Sequence, residues 1–253
     1  MNANVEAEPV VLVAERGLVL EAVINRPAKR NALNQETAYA LGELYERFEQ
    51  GPWRVLIISG AGDKAFCAGA DFNNPPLDDG PAYPNFGVKL TKPVIAAIEG
   101  YAVGAGFVLS QTSDIAVAGQ SAQFAYPEAS IGVTGGGATL LTTRVPTKVV
   151  TDLLLTSRFY PAERALAAGL VSEVVPDGQA LAKARELADR IASNSADCVR
   201  ALKALIDRDT QRSTVEGAQQ VANVTRATKD KSVLTASRGI KGLTSGATSE
   251  AAA

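Results

Sequence analysis

The fold of this chain is constrained most by a change of hydrophobic pattern near residue 176. Before that point, short β-branched runs alternate with glycine-rich turns and with stretches of helical period. The runs with the clearest strand pattern are Val10–Ala14, Leu18–Ile24, Val55–Ser59, Val94–Ile98 and Ile115–Ala118. Alternating strands and helices are typical of the α/β class. We therefore predict an α/β core domain over residues 1–176.

Beyond residue 176 the apolar residues recur almost entirely at helical spacing. A helix capped by Asp177 is predicted first, and a second apolar face follows near Leu202. We assign residues 177–243 to a helical C-terminal region and the small polar residues 244–253 to a disordered tail. One earlier helix is predicted directly after Asn34.

Histidine is absent from all 253 residues, and its absence removes many mechanisms. A Ser-His-Asp relay, a histidine base and an HExxH zinc helix are all excluded. The two cysteines cannot form a four-thiolate metal site, and we expect no metal. Acid–base chemistry must therefore fall to carboxylates, Lys, Tyr, backbone groups or a bound cofactor.

The charge and hydropathy of the chain indicate its expected surroundings. The net charge is −2 and no basic stretch occurs, which argues against nucleic acid and anionic membranes as principal partners. The first residues are polar, and no apolar run reaches the roughly 18–20 residues that span a bilayer. We expect a soluble, cytoplasmic protein.

Two glycine-rich turns follow predicted strands and are the best candidate binding elements. One turn follows the strand that ends at Ile98 and contains Gly104, after which a helix is predicted to begin near Ala105. The other follows the strand that ends at Ser59 and closes in the small residues 68–70. A helix N-terminus presents unpaired amide N–H groups. Two such amides on one oxygen atom would form an oxyanion hole, although the residues alone equally allow two simple tight turns.

The first of these turns also resembles the nucleotide turn of short-chain dehydrogenases. About a hundred residues precede it, however, whereas that turn should follow the first strand of the fold. None of the six tyrosines has a lysine four residues later, as those enzymes require. We therefore do not favour a nicotinamide enzyme.

The segment Asn73–Pro84 contains four prolines and one glycine, which forbids a regular element. A loop of this length inside a compact domain is either a linker or a lid over a site. Because it lies between two strands of the same body, we predict a lid.

Five motifs in order carry a resemblance to the crotonase superfamily, the enoyl-CoA hydratases and isomerases. They are Ile24–Asn34, Lys64–Phe72, Lys92–Phe107, Ser113–Val133 and Pro161–Pro176. The resemblance covers nearly the whole chain up to the last helices. It implies a crotonase-like α/β fold, in which a spiral of ββα units precedes a C-terminal helical trimerisation region. It also implies a homo-trimer or a dimer of trimers.

The same resemblance implies an acyl-CoA thioester as substrate, with CoA as part of the substrate and no separate cofactor. Its carbonyl oxygen would accept hydrogen bonds from the backbone amides of Ala70 and Ala105. The CoA portion would lie near Arg30 and Leu33 and alongside Ala68. Asp71 and Phe72 complete the implied binding residues, which are Arg30, Leu33, Ala68, Ala70, Asp71, Phe72 and Ala105.

The acid–base group implied by the resemblance is Glu128, in the sequence Tyr-Pro-Glu. Hydratases of the family use an additional glutamate on the helix after the second turn, and this chain has Val108 there. One carboxylate suffices to move a proton from C2 to C4 of a 3-enoyl-CoA, so the sequence favours an isomerase. Three alternatives stay open: a hydratase, another enolate reaction that makes or breaks a carbon–carbon bond, and a non-catalytic acyl-CoA-binding protein.

Other polar residues receive structural interpretations. Asp71 is expected to make hydrogen bonds at its turn rather than to act as an acid, and Asp114 to cap a turn or strand. Glu99 is expected to be a solvated charge, and Cys67 a buried thiol. Tyr126 either lines the acyl pocket or packs beneath the lid. Two further predictions are a reshaped acyl-pocket loop over residues 131–141 and a weak phosphate contact from Lys241.

Overall fold

The computed structural model describes residues 8–133, 141 and 145–207. Residues 208–253 lie outside these ranges, and with them the end of the predicted helical region, Lys241 and the predicted tail. Most of the predicted loop 131–141 also lies outside them. The strands are β1 (Val11–Arg16), β2 (Val19–Ile24), β3 (Val55–Gly60), β4 (Ala65–Cys67), β5 (Val94–Ile98), β6 (Tyr101–Val103), β7 (Ile115–Gly119), β8 (Gln123–Ala125), β9 (Tyr160–Pro161) and β10 (Glu173–Val175). The α-helices are α1 (Gln35–Gln50), α2 (Ala105–Thr112), α3 (Thr147–Thr156), α4 (Ala162–Ala167) and α5 (Ala180–Ser193). Residues 196–207 are also helical.

The strands form two sheets with a repeated order. The larger sheet is β1-β2-β3-β5-β7-β10, parallel except for β1, and the smaller is β4-β6-β8-β9. Each of the long strands β3, β5 and β7 is followed by a short strand of the smaller sheet. This repetition is the predicted spiral, and the α/β class is confirmed. The five sequence-predicted strands are present, with ends shifted by no more than two residues.

The larger sheet is buried on both faces. Successive side chains of a strand point to opposite sides, so each strand contributes to the packing on both faces. In β3, Leu56 and Ile58 belong to the main core, whereas Ile57 packs in a second cluster under α5. The face of α5 in that cluster is made of small residues at four-residue intervals: Ala180, Ala184, Ala188 and Ala192. Alanines let the helix axis approach the sheet closely, so α5 covers the sheet face directly.

The start of α1 agrees with the sequence interpretation, whereas the start of α5 differs from it. Helix α1 begins directly after Asn34 as predicted, and the Asn34 side chain caps it by accepting a hydrogen bond from Thr37 N at 2.9 Å. Helix α5, however, is not capped by Asp177, which instead accepts from Ser121 N at 2.8 Å. Glu99 Oε1 accepts from Ala180 N at 3.0 Å, so the prediction that Glu99 is a solvated charge is wrong. A carboxylate at a helix N-terminus is favoured by the helix dipole.

No helix within the described ranges is long and apolar enough to cross a membrane.

Candidate active site

The turn after β4 is held in register by the segment that follows β2. Leu33 N donates to Gly69 O at 2.8 Å, and Asp71 N donates to Leu33 O at 2.7 Å. In this parallel bridge the bonds on either side of Ala70 go to Leu33, so the amide of Ala70 itself points away from that strand. Ala68 N donates to Arg30 O at 3.0 Å. The structure thus brings together Arg30, Leu33, Ala68, Ala70 and Asp71, five of the residues that the resemblance implies in CoA binding.

The second turn meets the first one at the start of α2. A Cβ added at Gly69 would lie 3.8 Å from Ala105 N, and one added at Gly104 would lie 3.8 Å from Gly69 Cα. Gly69 and Gly104 have φ of 106° and 54°, which favours glycine. As the first residue of α2, Ala105 has no intrahelical acceptor for its N–H. The two amides implied in an oxyanion hole therefore lie at contacting turns, and their catalytic role stays a prediction.

A buried ion pair fixes the end of the first turn. Arg26 donates to Asp71 Oδ2 at 2.8 Å and also to Ala32 O, while Asn73 N donates to Asp71 Oδ1 at 3.1 Å. Burial opposes ionisation of Asp71, but these donors and the Arg26 charge hold its pKa below the ordinary value. Asp71 is thereby engaged as a turn residue, in line with its sequence interpretation. Phe72, the next residue, is 54% exposed.

Glu128 lies in the short 3₁₀ segment Pro127–Ile131, beside the start of α2. Its Oε1 is 3.2 Å from the position of a Cβ added at Gly104, and its buried Oε2 finds no hydrogen-bond partner among the described residues. Burial, helped by the negative charge of Asp79, raises the pKa of Glu128 to about 8. A carboxyl group with such a pKa exchanges protons near neutral pH, which suits general acid–base catalysis.

The position of the additional family glutamate is apolar and closed. Val108 belongs to α2, its N–H donates to Gly104 O at 3.0 Å, and it is 4% exposed. The adjacent Phe107 ring lies 6.2 Å from the ring of Tyr126, so Tyr126 packs beside α2. Valine neither orients water nor exchanges a proton, so α2 offers no acid–base group here.

The predicted lid, residues 73–84, crosses beside α1 and is fastened to it. The Gln35 side chain accepts from Leu77 N at 2.6 Å and donates to Asp78 O at 3.2 Å. Tyr45 OH donates to Ala82 O at 2.8 Å. The sequence analysis expected no regular element here, but Gly80–Ala82 forms a 3₁₀ turn. Its proline lies near the N-terminus of the turn, where a helix tolerates proline. Leu77 at the outer edge is 99% exposed.

The lid also carries a polar pair that the sequence analysis missed. Tyr83 is buried, and its hydroxyl donates to Asp79 Oδ2 at 2.7 Å. The acidic dipeptide at residues 78–79 was the only sequence signal, since a proline-rich loop has no periodicity that shows which side chains turn inward.

The remaining candidates are structural. Asp114 accepts from Val94 N at 2.8 Å and from the buried Lys203 at 2.5 Å, which joins the sheet to the helical residues 196–207. Cys67 is buried as predicted, and burial raises the pKa of its thiol to about 12. A thiol with so high a pKa is a poor nucleophile near neutral pH.

Comparison with known proteins agrees with this fold. The sequence pattern of the family described as "Enoyl-CoA hydratase/isomerase" matches residues 85–245, and a second pattern of the same description matches residues 19–75. The chain is 43% identical over 216 residues to enoyl-CoA hydratase EchA19 of Mycobacterium tuberculosis, covering 79% of this chain and 81% of the relative. It is 39% identical over 215 residues to carnitinyl-CoA dehydratase of Proteus mirabilis, covering 80% and 82%.

Solved structures show the same similarity. EchA1_1 from Mycobacterium paratuberculosis superposes with a TM-score of 0.83 at 33% identity, covering 93% of this chain and 97% of the other. A carnitinyl-CoA dehydratase from Mycobacterium avium gives 0.79 at 34% identity, covering 87% and 91%. The fold is therefore crotonase-like. The chain belongs to the enoyl-CoA hydratase/isomerase family.

Proposed function

We propose that the protein adds water to, or removes water from, the Cα–Cβ bond of an acyl-CoA thioester, with Glu128 as proton carrier. The observation that carries the proposal is the carboxyl group of Glu128 beside the junction of two glycine turns, with a buried Oε2 that has no hydrogen-bond partner among the described residues. The names of the relatives, hydratase and dehydratase, support this chemistry. They do not support the isomerase that the sequence favours, so hydration, an alternative in the sequence analysis, becomes the leading proposal.

Dehydration shows how one carboxyl group can act first as the base and then as the acid. The ionised Glu128 takes the Cα proton, and the electron pair moves onto the thioester oxygen. The amides of Ala70 and Ala105 stabilise this enolate, and one such donor is typically worth about 3–4 kcal/mol. The enolate then expels the β-hydroxyl group, which leaves as water after taking the proton from Glu128. A single carboxyl group can do both when proton and hydroxyl leave from the same face.

Isomerisation of a 3-enoyl-CoA is the second candidate, and Val108 is the observation that favours it. The same Glu128 would remove a proton from C2 and return it at C4, which needs no water and no further acid. The two reactions are separated by supplying 2-enoyl-CoA and 3-enoyl-CoA in parallel. Water addition to the first supports the leading proposal. Conjugation of the second without hydration of the first would replace it with the isomerase.

Substitution of Glu128 tests the assignment of the proton carrier. In Glu128→Gln we expect kcat to fall by about a hundred-fold or more, because general acid–base catalysis contributes factors of this size. Binding of the acyl-CoA should be retained, as measured by calorimetry. Glu163→Gln, which changes an exposed carboxylate on α4, is the matched control and should behave as wild type. Unchanged turnover in Glu128→Gln would show that another group carries the proton.

The proposal includes the binding and assembly that the resemblance implies. The CoA portion would lie along Arg30, Leu33 and Ala68 without a separate cofactor, in a cytoplasmic homo-trimer or dimer of trimers. Sedimentation analysis measures the assembly directly, and a monomer at micromolar concentration would contradict that part alone.

A further inference from the structure

The short 3₁₀ segment that carries Glu128 is supported by two elements that the proposed mechanism does not use. Glu128 stands three residues after the end of β8, and β8 pairs antiparallel with β9, where Phe124 lies opposite Tyr160. Helix α3 packs on the segment Pro127–Ile131 itself. Strand β9 and helix α3 therefore form the support behind the proposed proton carrier.

The carboxyl group of Glu128 depends on this support for its position. Its buried Oε2 has no hydrogen-bond partner among the described residues, so no such bond fixes that oxygen. Its Oε1 faces Gly104 and lies 3.2 Å from the position that a Cβ of that residue would take. The place of the carboxyl group is therefore set by the backbone of the 3₁₀ segment and by what packs on that backbone.

One carboxylate joins the two supporting elements to each other. Asp152 of α3 accepts a hydrogen bond from the hydroxyl group of Tyr160 in β9. The same oxygen, Asp152 Oδ2, accepts from Arg158 Nε at 2.9 Å and from Arg164 Nη2 at 2.8 Å. The Tyr160 side chain is buried in the main core, so the bond reaches from the core to the partly exposed end of α3.

Within this cluster the bond between Tyr160 and Asp152 is the connection that matters most. The guanidinium groups of Arg158 and Arg164 are about half exposed, and ion pairs of exposed arginines contribute little. A hydroxyl group that donates to a carboxylate forms a shorter and stronger bond than one between neutral groups. The Tyr160 hydroxyl, together with the two arginines, holds the pKa of Asp152 below its ordinary value, so the acceptor is charged near neutral pH.

We propose that the Asp152–Tyr160 hydrogen bond positions Glu128, because it holds α3 against β9 and thereby fixes the 3₁₀ segment that brings the carboxyl group to the junction of the two glycine turns. Asp152 and Tyr160 are positioning residues that act through Glu128 and not on the substrate. The inference rests on the proposed function, which makes Glu128 the proton carrier. A displacement of about 1 Å at a reacting group can cost about a hundred-fold in rate, even when the change is far from the reaction.

Tyr160→Phe is the mildest test, because it removes one hydroxyl group and keeps both the buried ring and the pairing of β9 with β8. We expect kcat to fall by about ten-fold with little change in KM or in acyl-CoA affinity. Asp152→Ala removes the acceptor altogether and should lower kcat at least as far. Asp152→Asn keeps an oxygen acceptor for the Tyr160 hydroxyl and should restore most of the wild-type rate.

The matched control is Glu21→Ala, because Glu21 is also a carboxylate bonded to two arginines. It accepts hydrogen bonds from Arg16 and Arg185 and joins β2 to α5 rather than α3 to β9. The Glu21 side chain is more buried than that of Asp152, so its loss should lower the stability of the fold at least as much. The kcat of Glu21→Ala should nevertheless match wild type.

A pH readout separates positioning from stability alone. Burial, helped by the charge of Asp79, raises the pKa of Glu128 to about 8. A displaced 3₁₀ segment admits water to the carboxyl group, so this pKa should fall towards 4.5 in Tyr160→Phe and Asp152→Ala, but not in Glu21→Ala. Carboxyl-carbon NMR on labelled glutamate measures it without turnover. Since the ionised Glu128 is the active form in dehydration, the rise of kcat/KM with pH should also move to lower pH in the first two variants.

Failure of this inference is distinguishable from failure of the proposed function. An active wild type in which Tyr160→Phe and Asp152→Ala match Glu21→Ala, both in kcat and in the pKa of Glu128, overturns the positioning role alone. An equal loss of kcat in Asp152→Asn and Asp152→Ala assigns the effect to the arginine ion pairs and overturns the role of the Tyr160 bond.

A wild type that neither hydrates nor dehydrates an acyl-CoA overturns the proposed function, and the NMR comparison then decides by itself whether Asp152 and Tyr160 position the carboxyl group of Glu128. A loss of kcat confined to Tyr160→Phe and Asp152→Ala, together with a lowered pKa of Glu128 and recovery in Asp152→Asn, supports the proposal.

Discussion

At the scale of single residues, the burial that raises the pKa of Glu128 also lowers the stability of the fold. Its buried Oε2 has no partner among the described residues, so the charged form is poorly solvated. The same burial that raises its pKa to about 8 therefore penalises the folded state whenever the carboxyl group ionises.

This penalty predicts a pH-dependent stability difference between wild type and Glu128→Gln. The folded pKa lies above the ordinary value of 4.5, so the stabilisation is complete below about 4.5 and is lost as pH rises through about 8. The unfolding free energy of wild type should therefore fall relative to the variant between these values, by at most about 1.4 kcal/mol per pH unit. Urea unfolding at several pH values measures the difference, and Glu163→Gln should show none. Parallel curves for wild type and Glu128→Gln would refute the prediction.

The sequence alone predicted some residues of the candidate site but not all of them. Glu128 and Val108 stand inside linked motifs, and the amides of Ala70 and Ala105 depend on turns whose glycines are visible in the sequence. Asp79 and Tyr83 stand in a proline-rich loop, where neither spacing nor period indicates orientation. The contact between their side chains depends on how the lid lies on α1, which is a tertiary contact.

At the scale of elements, the position of helix α2 depends on Gly106, because a residue without a side chain is needed there. A Cβ at Gly106 would lie 2.0 Å from Cys67 O, so α2 packs directly on the backbone of β4. This contact fixes the helix N-terminus beside the first turn, and with it the distance between the amides of Ala70 and Ala105.

Gly106→Ala should consequently separate these two elements. The gain in helix propensity, about 1 kcal/mol, is smaller than the cost of a clash with backbone atoms, so we expect a net loss of about 2–3 kcal/mol of stability and a large loss of kcat. Gly87→Ala is the matched control, because its Cβ would meet Pro81 Cα at an ordinary 3.4 Å. Thermal unfolding and turnover of both variants provide the measurement. A Gly106→Ala protein as stable and active as Gly87→Ala would contradict the packing argument.

The long elements were predictable from sequence, whereas the short ones were not. A strand such as Val94–Ile98 shows a β-branched run, and helix α1 shows both a cap and a face. Strands β4, β6, β8 and β9 have two or three residues each, too few to show a period. They are strands because they pair with one another, so the smaller sheet emerges only in the folded chain.

At the scale of the whole molecule, charged side chains join the C-terminal helix α5 to the first strands. Glu21 of β2 accepts two hydrogen bonds from Arg185 of α5, at 2.8 and 2.7 Å, and one from Arg16 at 3.1 Å. Arg16 also donates to Asp189 of α5 at 2.8 Å. Together with the alanine face of α5, these bonds make residues 180–193 part of the core packing rather than a separate layer.

Glu21→Gln should weaken this connection in a pH-dependent way. Hydrogen bonds from Arg185, opposed by burial and supported by the arginine charges, lower the pKa of Glu21 below 4.5. Its contribution is therefore present above about 4.5 and lost as pH falls through the lower folded value. At about pH 7 we expect the variant to lose about 2 kcal/mol of unfolding free energy, since both arginines are partly exposed and can be resolvated. At a pH below the lowered folded pKa the difference should nearly vanish.

Urea unfolding at both pH values measures this difference, with Glu186→Gln as the control on the same helix. Glu186 is exposed and forms an ion pair across one turn with Lys183, so its loss should cost less than about 0.5 kcal/mol. An equal loss in the two variants at about pH 7 would mean that α5 is held by its alanine face alone. A difference that persists below the lowered folded pKa would mean that Glu21 acts through packing, because its charge is neutralised there.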